Sequence, residues 1–326
     1  MGAFERGSES RSERNALRYA VDVFPCESGH EPTCHRWTGL YILYTNGETT
    51  DAVIDTHQSQ ANRIEPGFDG SGLIPEHTVR VGENTKPFTA LGHRVADAAV
   101  RFSDQAAVID AALKAFSKRD AVPLAKLAPT ALLFGAWDSR GNTGAKIVRL
   151  FNAEIRAHNV VPVPAKGQFV SSVPRPADLK NKELSAEGLL DCPFSGLGGI
   201  IVKGEIVRTV SLNVRGIRKL TPQAQHYALG LGLYALTYPL DLDLRADCNL
   251  VTVKTEASLV NEDGTRETIR LTHADTLAFA RKAAQEFGVG PALQFVYDEG
   301  KALAKVTGKA EAAEEKKDKK SKAKSA

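Results

Sequence analysis

Three groups of polar residues in this 326-residue chain stand where turns between regular elements would expose them. The first is Asp138-Ser139-Arg140-Gly141, which follows the apolar run Pro129–Trp137 and precedes Lys146, Arg149 and Arg156. A buried strand over Ala131–Trp137, a glycine-bearing turn over Asp138–Gly144 and a helix over Ala145–Ala157 would set backbone N–H groups beside guanidinium forks. Such a setting suits phosphate oxygens. Gln58, Asn62 and Arg63 follow the apolar Ala52–Asp55 in the same way and offer donors to phosphates, sugars or base edges. Arg215, Arg218 and Lys219 repeat the arrangement after the strand-like segment Gly199–Val214. Three such places describe a track for a polyanion held by its backbone.

Other chemistries have weaker support. Cys26, His30, Cys34 and His35 form the ligand set that zinc prefers, but Cys-x3-His-x3-Cys-His is not a finger spacing and adjacent ligands strain a tetrahedral site. The residues are therefore read as a loop, and no metal or other cofactor is assigned. Gly196-Leu197-Gly198-Gly199 lacks the spacing of a phosphate loop and precedes its strand. No Gly-x-Ser-x-Gly nucleophile elbow occurs. Asp138 at a strand end could serve a metal-dependent ribonuclease, which is the alternative function; an aspartate before a helix more often caps the turn.

Charge sharpens the question. Nine lysines against four acids give residues 301–326 a charge of +5, so the rest carries −2 of the overall +3. A body that is not globally basic must concentrate its cations to bind nucleic acid, and Lys203–Lys219 holds five against Glu205 alone. A chain with 42% hydrophobic residues, four cysteines and no long apolar run is expected to be cytoplasmic, with neither a disulfide scaffold nor a membrane span.

The elements that must position these groups follow from periodicity. Residues 1–20 are polar and expected to be flexible, and the Lys/Glu/Ala tail 301–326 to be disordered. Leu40–Tyr44 and Ala52–Asp55 flank an Asn46-Gly47 turn signal, and Pro66-Gly67 stops a helix over Ser59–Glu65. Thr89 caps a helix with Leu91, Val95, Ala98 and Phe102 on one face, and another covers Ala106–Phe116. Residues 165–198 lack periodicity. Thr221-Pro222 opens a helix that ends near Tyr238-Pro239. Val251–Leu259 alternates as a strand, Asp263-Gly264 turns it into Arg266–Leu271, and a helix over Ala274–Phe287 lies between Thr272 and Gly288. Strands mixed with helices and hairpins indicate an α+β fold.

Six motifs, taken together, carry a family resemblance. Asp55–Glu65, then His93-Arg94-Val95-Ala96-Asp97-Ala98, Phe134–Gly141, Asn213–Leu220, Tyr227–Leu231 and Asp243–Leu250 stand in an order that resembles the backbone subunit of the type I CRISPR surveillance complex, Cascade, of subtype I-G (formerly I-U). The likeness implies a hand-shaped member of the RAMP superfamily, its body spanning 21–300. An RRM-like (ferredoxin-like) palm would carry inserted fingers and a thumb, for which 165–198 is the candidate. It implies a non-catalytic subunit, with RNA contacts at Gln58, Asn62, Arg63, His93, Arg94, Arg140, Lys146, Arg149, Arg215, Arg218 and Lys219. Its expected partners are CRISPR guide RNA, the target DNA strand paired to that guide, and further copies in a helical filament. The other Cascade subunits expected are the large subunit, the repeat-processing and handle-binding subunit, and the helicase-nuclease. A subunit that serves many guides must hold backbone and shape and leave sequence to base pairing.

Overall fold

The structure is a computed structural model, and it describes residues 14–25, 33–35, 42–46, 48–169, 192–245 and 248–308. In chain order its strands begin with β1 (Arg14–Pro25), β2 (Thr33–His35), β3 (Ile42–Asn46), β4 (Thr49–Asp55), β5 (Thr78–Val81) and β6 (Asn84–Pro87). The middle of the chain adds β7 (Ala136–Trp137), β8 (Lys146–Ile147), β9 (Phe151–Ala157), β10 (Val160–Phe169), β11 (Cys192–Val202) and β12 (Ile206–Leu212). The last are β13 (Asp243–Arg245), β14 (Cys248–Asn261), β15 (Arg266–Thr268) and β16 (Gln294–Val296). The architecture is mixed α/β. Its main sheet has eight strands, ordered β13-β14-β1-β12-β9-β4-β3 with β15 on β14, and smaller sheets join β10-β11-β2, β16-β5-β6 and β7-β8. Every pairing in the main sheet is antiparallel.

Several expectations change. Arg14–Pro25 is a strand between β12 and β14, although its first residues fall in the segment expected to be flexible. Ala131–Phe134, expected as strand, belongs to the helix Pro129–Phe134, and all six residues of that helix are buried. A short apolar run fits either element, and Pro129 at the first helical position favours the helix. Ala145–Ala157, expected as helix, is instead β8 and β9. Ile147, Leu150, Phe151 and Ile155 fit a helical stripe, but Phe151, Ala153, Ile155 and Ala157 also alternate inward in β9. Pairing with β12 on one side and β4 on the other selects the period of two. The helix expected after Thr89 is broken into 3-10 turns at Phe88–Ala90 and Arg94–Ala96 and a short helix at Ala98–Arg101.

Gly199–Val214 resolves into β11 and β12 around the turn Lys203-Gly204-Glu205, so Gly196–Gly199 lies within a strand and not in a loop. The ends of 165–198 are paired strands of a β10–β11 ribbon, and residues 170–191 lie outside the described residues. Residues 299–308 are helical, and 309–326 are likewise outside. The β3–β4 hairpin, the helix Ala106–Ser117 and the hairpin at Asp263-Gly264 fall where expected. The helix His273–Phe287 does too, with Thr272 accepting from the Asp275 N–H and Gly288 left-handed at φ +72°.

The larger core lies under one face of the main sheet. Helix Pro222–Thr237 is buried from Tyr227 to Leu236 with only Leu229 partly open, and it packs on His273–Phe287. Gly230 makes that approach feasible, because a Cβ there would sit 3.1 Å from the Ala280 Cα. A second cluster joins Ala52, Ile54, Ile155, Ala157, Ile200, Val202 and Leu250. No helix among the described residues is long and apolar enough to cross a membrane.

His77 gives this core a pH dependence. It is buried edge-on between Phe88 and Phe295, and its Nδ1 accepts the Leu293 N–H at 2.9 Å, so the ring is neutral with its proton on Nε2. Burial lowers its pKa from the ordinary 6.5, opposed by the backbone at Leu127. The unfolded chain therefore takes up the proton first. Stability from the neutral ring is complete above about pH 6.5 and falls as the pH drops below it. Urea midpoints measured across that interval should decline, and the decline should flatten in His77→Gln.

Candidate nucleic-acid interface

The site begins where Pro129–Phe134 ends. Gly135, at φ +79°, turns the chain into β7, and a Cβ there would lie 2.7 Å from Arg149 Cγ and 3.0 Å from the Ile147 carbonyl. Only glycine combines that backbone with that proximity. β7 then pairs with β8 as a short hairpin, Trp137 opposite Lys146. Its loop is held by Asp138, whose backbone N–H donates to the Ala145 carbonyl at 2.9 Å. The Asp138 carboxylate is buried and accepts the Thr143 hydroxyl at 2.6 Å, while Arg101 donates to the Arg140 carbonyl at 2.8 Å. This is the turn role expected for Asp138. The carboxylate is 3% exposed and turned into its own loop.

Beside the hairpin runs a groove of about 670 Å³. Phe116, Leu132, Ile147, Leu150 and Leu220 line it with apolar surface, and Arg119, Lys146, Arg149 and Lys219 bring cations from three separate segments. No carboxylate lines it among the described residues. Leu150 is stitched into its floor, donating to the Leu133 carbonyl at 3.0 Å and accepting from the Asn213 N–H at 2.7 Å. Burial and the nearby Arg94 charge lower the Arg149 pKa, and its guanidinium donates to Gln58 Oε1 at 3.0 Å. Gln58 in turn donates to Asn62 at 2.9 Å, so two of the three amides of the helix His57–Ile64 are tied to the groove through Arg149.

The eleven expected contact residues thus divide. Lys146, Arg149 and Lys219 line the groove, and Gln58 and Asn62 connect to it. Lys146, Arg149 and Arg156 do not share a helix face, since the helix is absent and its N-terminal anion site with it. His93, Arg140 and Arg218 are exposed elsewhere, and Arg215 pairs with Glu262 at 3.1 Å. Arg63 is half-buried between Asp55 at 3.3 Å and the Leu244 carbonyl at 3.0 Å. Arg94 is buried against Glu65, so it supports the fold and not a surface. Among the described residues no cluster of three or more His, Cys, Asp or Glu side chains could hold a metal. Cys26 and His30 lie outside those residues, and Cys34 and His35 are in β2, paired with β11.

Arg119 and Asn213 were not anticipated. Arg119 follows the helix Ala106–Ser117 in a Schellman turn: its N–H donates to the Phe116 carbonyl at 2.9 Å and the Asp120 N–H to that of Ala115 at 3.0 Å. Such a turn ordinarily carries glycine, yet Arg119 holds φ +71°. The Thr221 hydroxyl clamps it, donating to the Arg119 carbonyl at 3.3 Å and accepting from the Ala121 N–H at 2.8 Å. The strained backbone thus sets the Arg119 side chain at the rim of the cationic groove. Arg119→Gly should accordingly raise the unfolding free energy by about 1 kcal/mol while weakening polyanion binding. Chemical denaturation and a filter-binding titration on the same preparation check both signs.

Comparison with known proteins gives one partial family match. Residues 26–162, less than half of the chain, match the model of a family described as CRISPR-associated protein GSU0053. No curated protein matches. Among solved structures, a chain of "CRISPR RNA-guided surveillance complex, pre-nicking" is similar at 11% identity, covering 84% of this chain and 86% of that one, with a TM-score of 0.38. Csc2 of Thermofilum pendens is similar at 12% identity over 91% and 82%, with a TM-score of 0.30.

Proposed function

We propose that this chain is a non-catalytic, guide-RNA-binding subunit of a DNA-targeting CRISPR surveillance complex of the Cascade type. The observation that carries the reading is the groove: Arg119, Lys146, Arg149 and Lys219 converge there with no lining carboxylate among the described residues, on a body whose overall charge is not basic. Cations over an apolar floor grip a backbone without reading sequence. The CRISPR-associated family match over 26–162 supports the setting, and the order of motifs favours subtype I-G.

The palm is read as RRM-like. In support, β14-β1-β12-β9 is antiparallel, helices lie in the chain between β1 and β9 and again between β12 and β14, and the β10–β11 ribbon is inserted between β9 and β12. Residues 165–198, whose described ends belong to that ribbon, are the thumb candidate of this reading. Copies would stack along the guide in a helical filament, in the cytoplasm, together with the other subunits of the complex.

The test is co-expression with a CRISPR array and neighbouring genes, followed by size exclusion with and without ribonuclease. A large species with nucleic-acid absorbance that collapses on ribonuclease treatment is expected. A nucleic-acid-free monomer under both conditions would overturn the proposal.

A further inference from the structure

Trp137 stands out on this surface. Its indole is 63% exposed, although the hairpin that carries it is held at several points. Asp138 closes the loop, Asn142 donates to Asp110 at 2.8 Å, Arg101 holds Arg140, and Gly135 seats the strand against Arg149. A large aromatic left open on a rigid two-stranded platform loses stabilisation that burial would supply, and nothing in the packing requires it there. Alternation along the hairpin puts Trp137, its partner Lys146 and the 70%-exposed Val148 on one face. Lys146 and Val148 also line the groove, so the indole extends the groove's surface outward. The Lys146 ammonium lies 5.7 Å from the ring centroid, and the indole as a whole stays 63% exposed.

We propose that Trp137 is a stacking platform for an unpaired base of the bound RNA, with Lys146 serving an adjacent phosphate. This rests on the RNA-binding reading above and assigns it a residue that a backbone grip does not require. An exposed indole beside a cation is the combination that holds single strands without sequence preference, since every base has a π-face. A protein partner would meet the same face flanked by Lys146 and, along the loop, the exposed Arg140, a charge pattern that favours a polyanion.

The chain has two tryptophans, Trp37 and Trp137, so Trp37→Phe leaves one reporter. Titrating that variant with single-stranded oligoadenylate should quench Trp137 emission saturably, in step with binding followed by filter retention. Trp137→Ala in the full chain should weaken binding about 5- to 100-fold, with Trp137→Phe recovering much of the loss. Thermal melting should show both variants folded, as expected at an exposed site. Binding with unchanged emission and undiminished affinity in Trp137→Ala would overturn the platform and leave the RNA-binding reading standing. So would an indole that is quenched by self-association of the RNA-free protein and not by RNA. Absence of RNA binding in every form would overturn both.

Discussion

Arg94→Met should destabilise the protein by about 3–5 kcal/mol, the largest effect expected of any single substitution considered. The guanidinium is buried and grips Glu65 through Nε at 2.8 and 3.1 Å and Nη2 at 2.8 Å. It also donates to the Gly135 carbonyl at 3.3 Å and lies over Phe134. Removing it strands a carboxylate that is 1% exposed, and an uncompensated buried charge is the costly outcome. Burial already pushes the Glu65 carboxyl up, with Arg94 and Thr130 holding it back. In the variant that restraint is lost, so the deficit in urea stability should shrink as the pH falls and Glu65 takes up a proton. Glu65→Met combined with Arg94→Met should recover most of the loss, because an apolar pair of similar volume need not be charged. A single variant as stable as the parent would show that the pair contributes nothing. Arg94 also holds φ +52°, a further cost that its contacts must offset.

Lys146→Ala with Lys219→Ala should lower the salt dependence of RNA binding, reducing the slope of log K against log salt by about 1.4 and weakening all sequences alike. Both side chains are exposed, so unfolding stability should change by no more than about 0.5 kcal/mol. Arg218→Ala is the informative comparison: Arg218 is adjacent to Lys219 in sequence and equally exposed but does not line the groove. Its slope should stay that of the parent. Equal losses in both variants would mean that RNA follows overall surface charge and that the groove has no special place.

Legibility in the sequence tracked local determinants. Thr272 and Gly288 bracket one helix, Pro222 opens another at its first position, and Asp263-Gly264 turn a hairpin, each through chemistry confined to a few neighbours. Leu17, Tyr19, Val21 and Val23 alternate within β1, a strand signal overshadowed by the polar residues before it. At Ala145–Ala157 two periods coexist in one stretch, and only the vacancies beside β12 and β4 decide between them. Arginines are worse still, because composition does not distinguish a guanidinium that meets solvent from one that meets Glu65.

The sequence alone therefore determined the bounds of the helix between Thr272 and Gly288, where hairpins turn and which segments hold the cations, since those depend on contacts within about one turn of chain. It also carried the order of motifs that resembles a CRISPR backbone subunit. Tertiary structure decided the rest. It buried Arg94, enclosed Asp138, and brought Arg119, Lys146, Arg149 and Lys219 to one groove from segments up to 100 residues apart. A charged surface is a sum over distant segments, and no local pattern records which of them the fold will make neighbours.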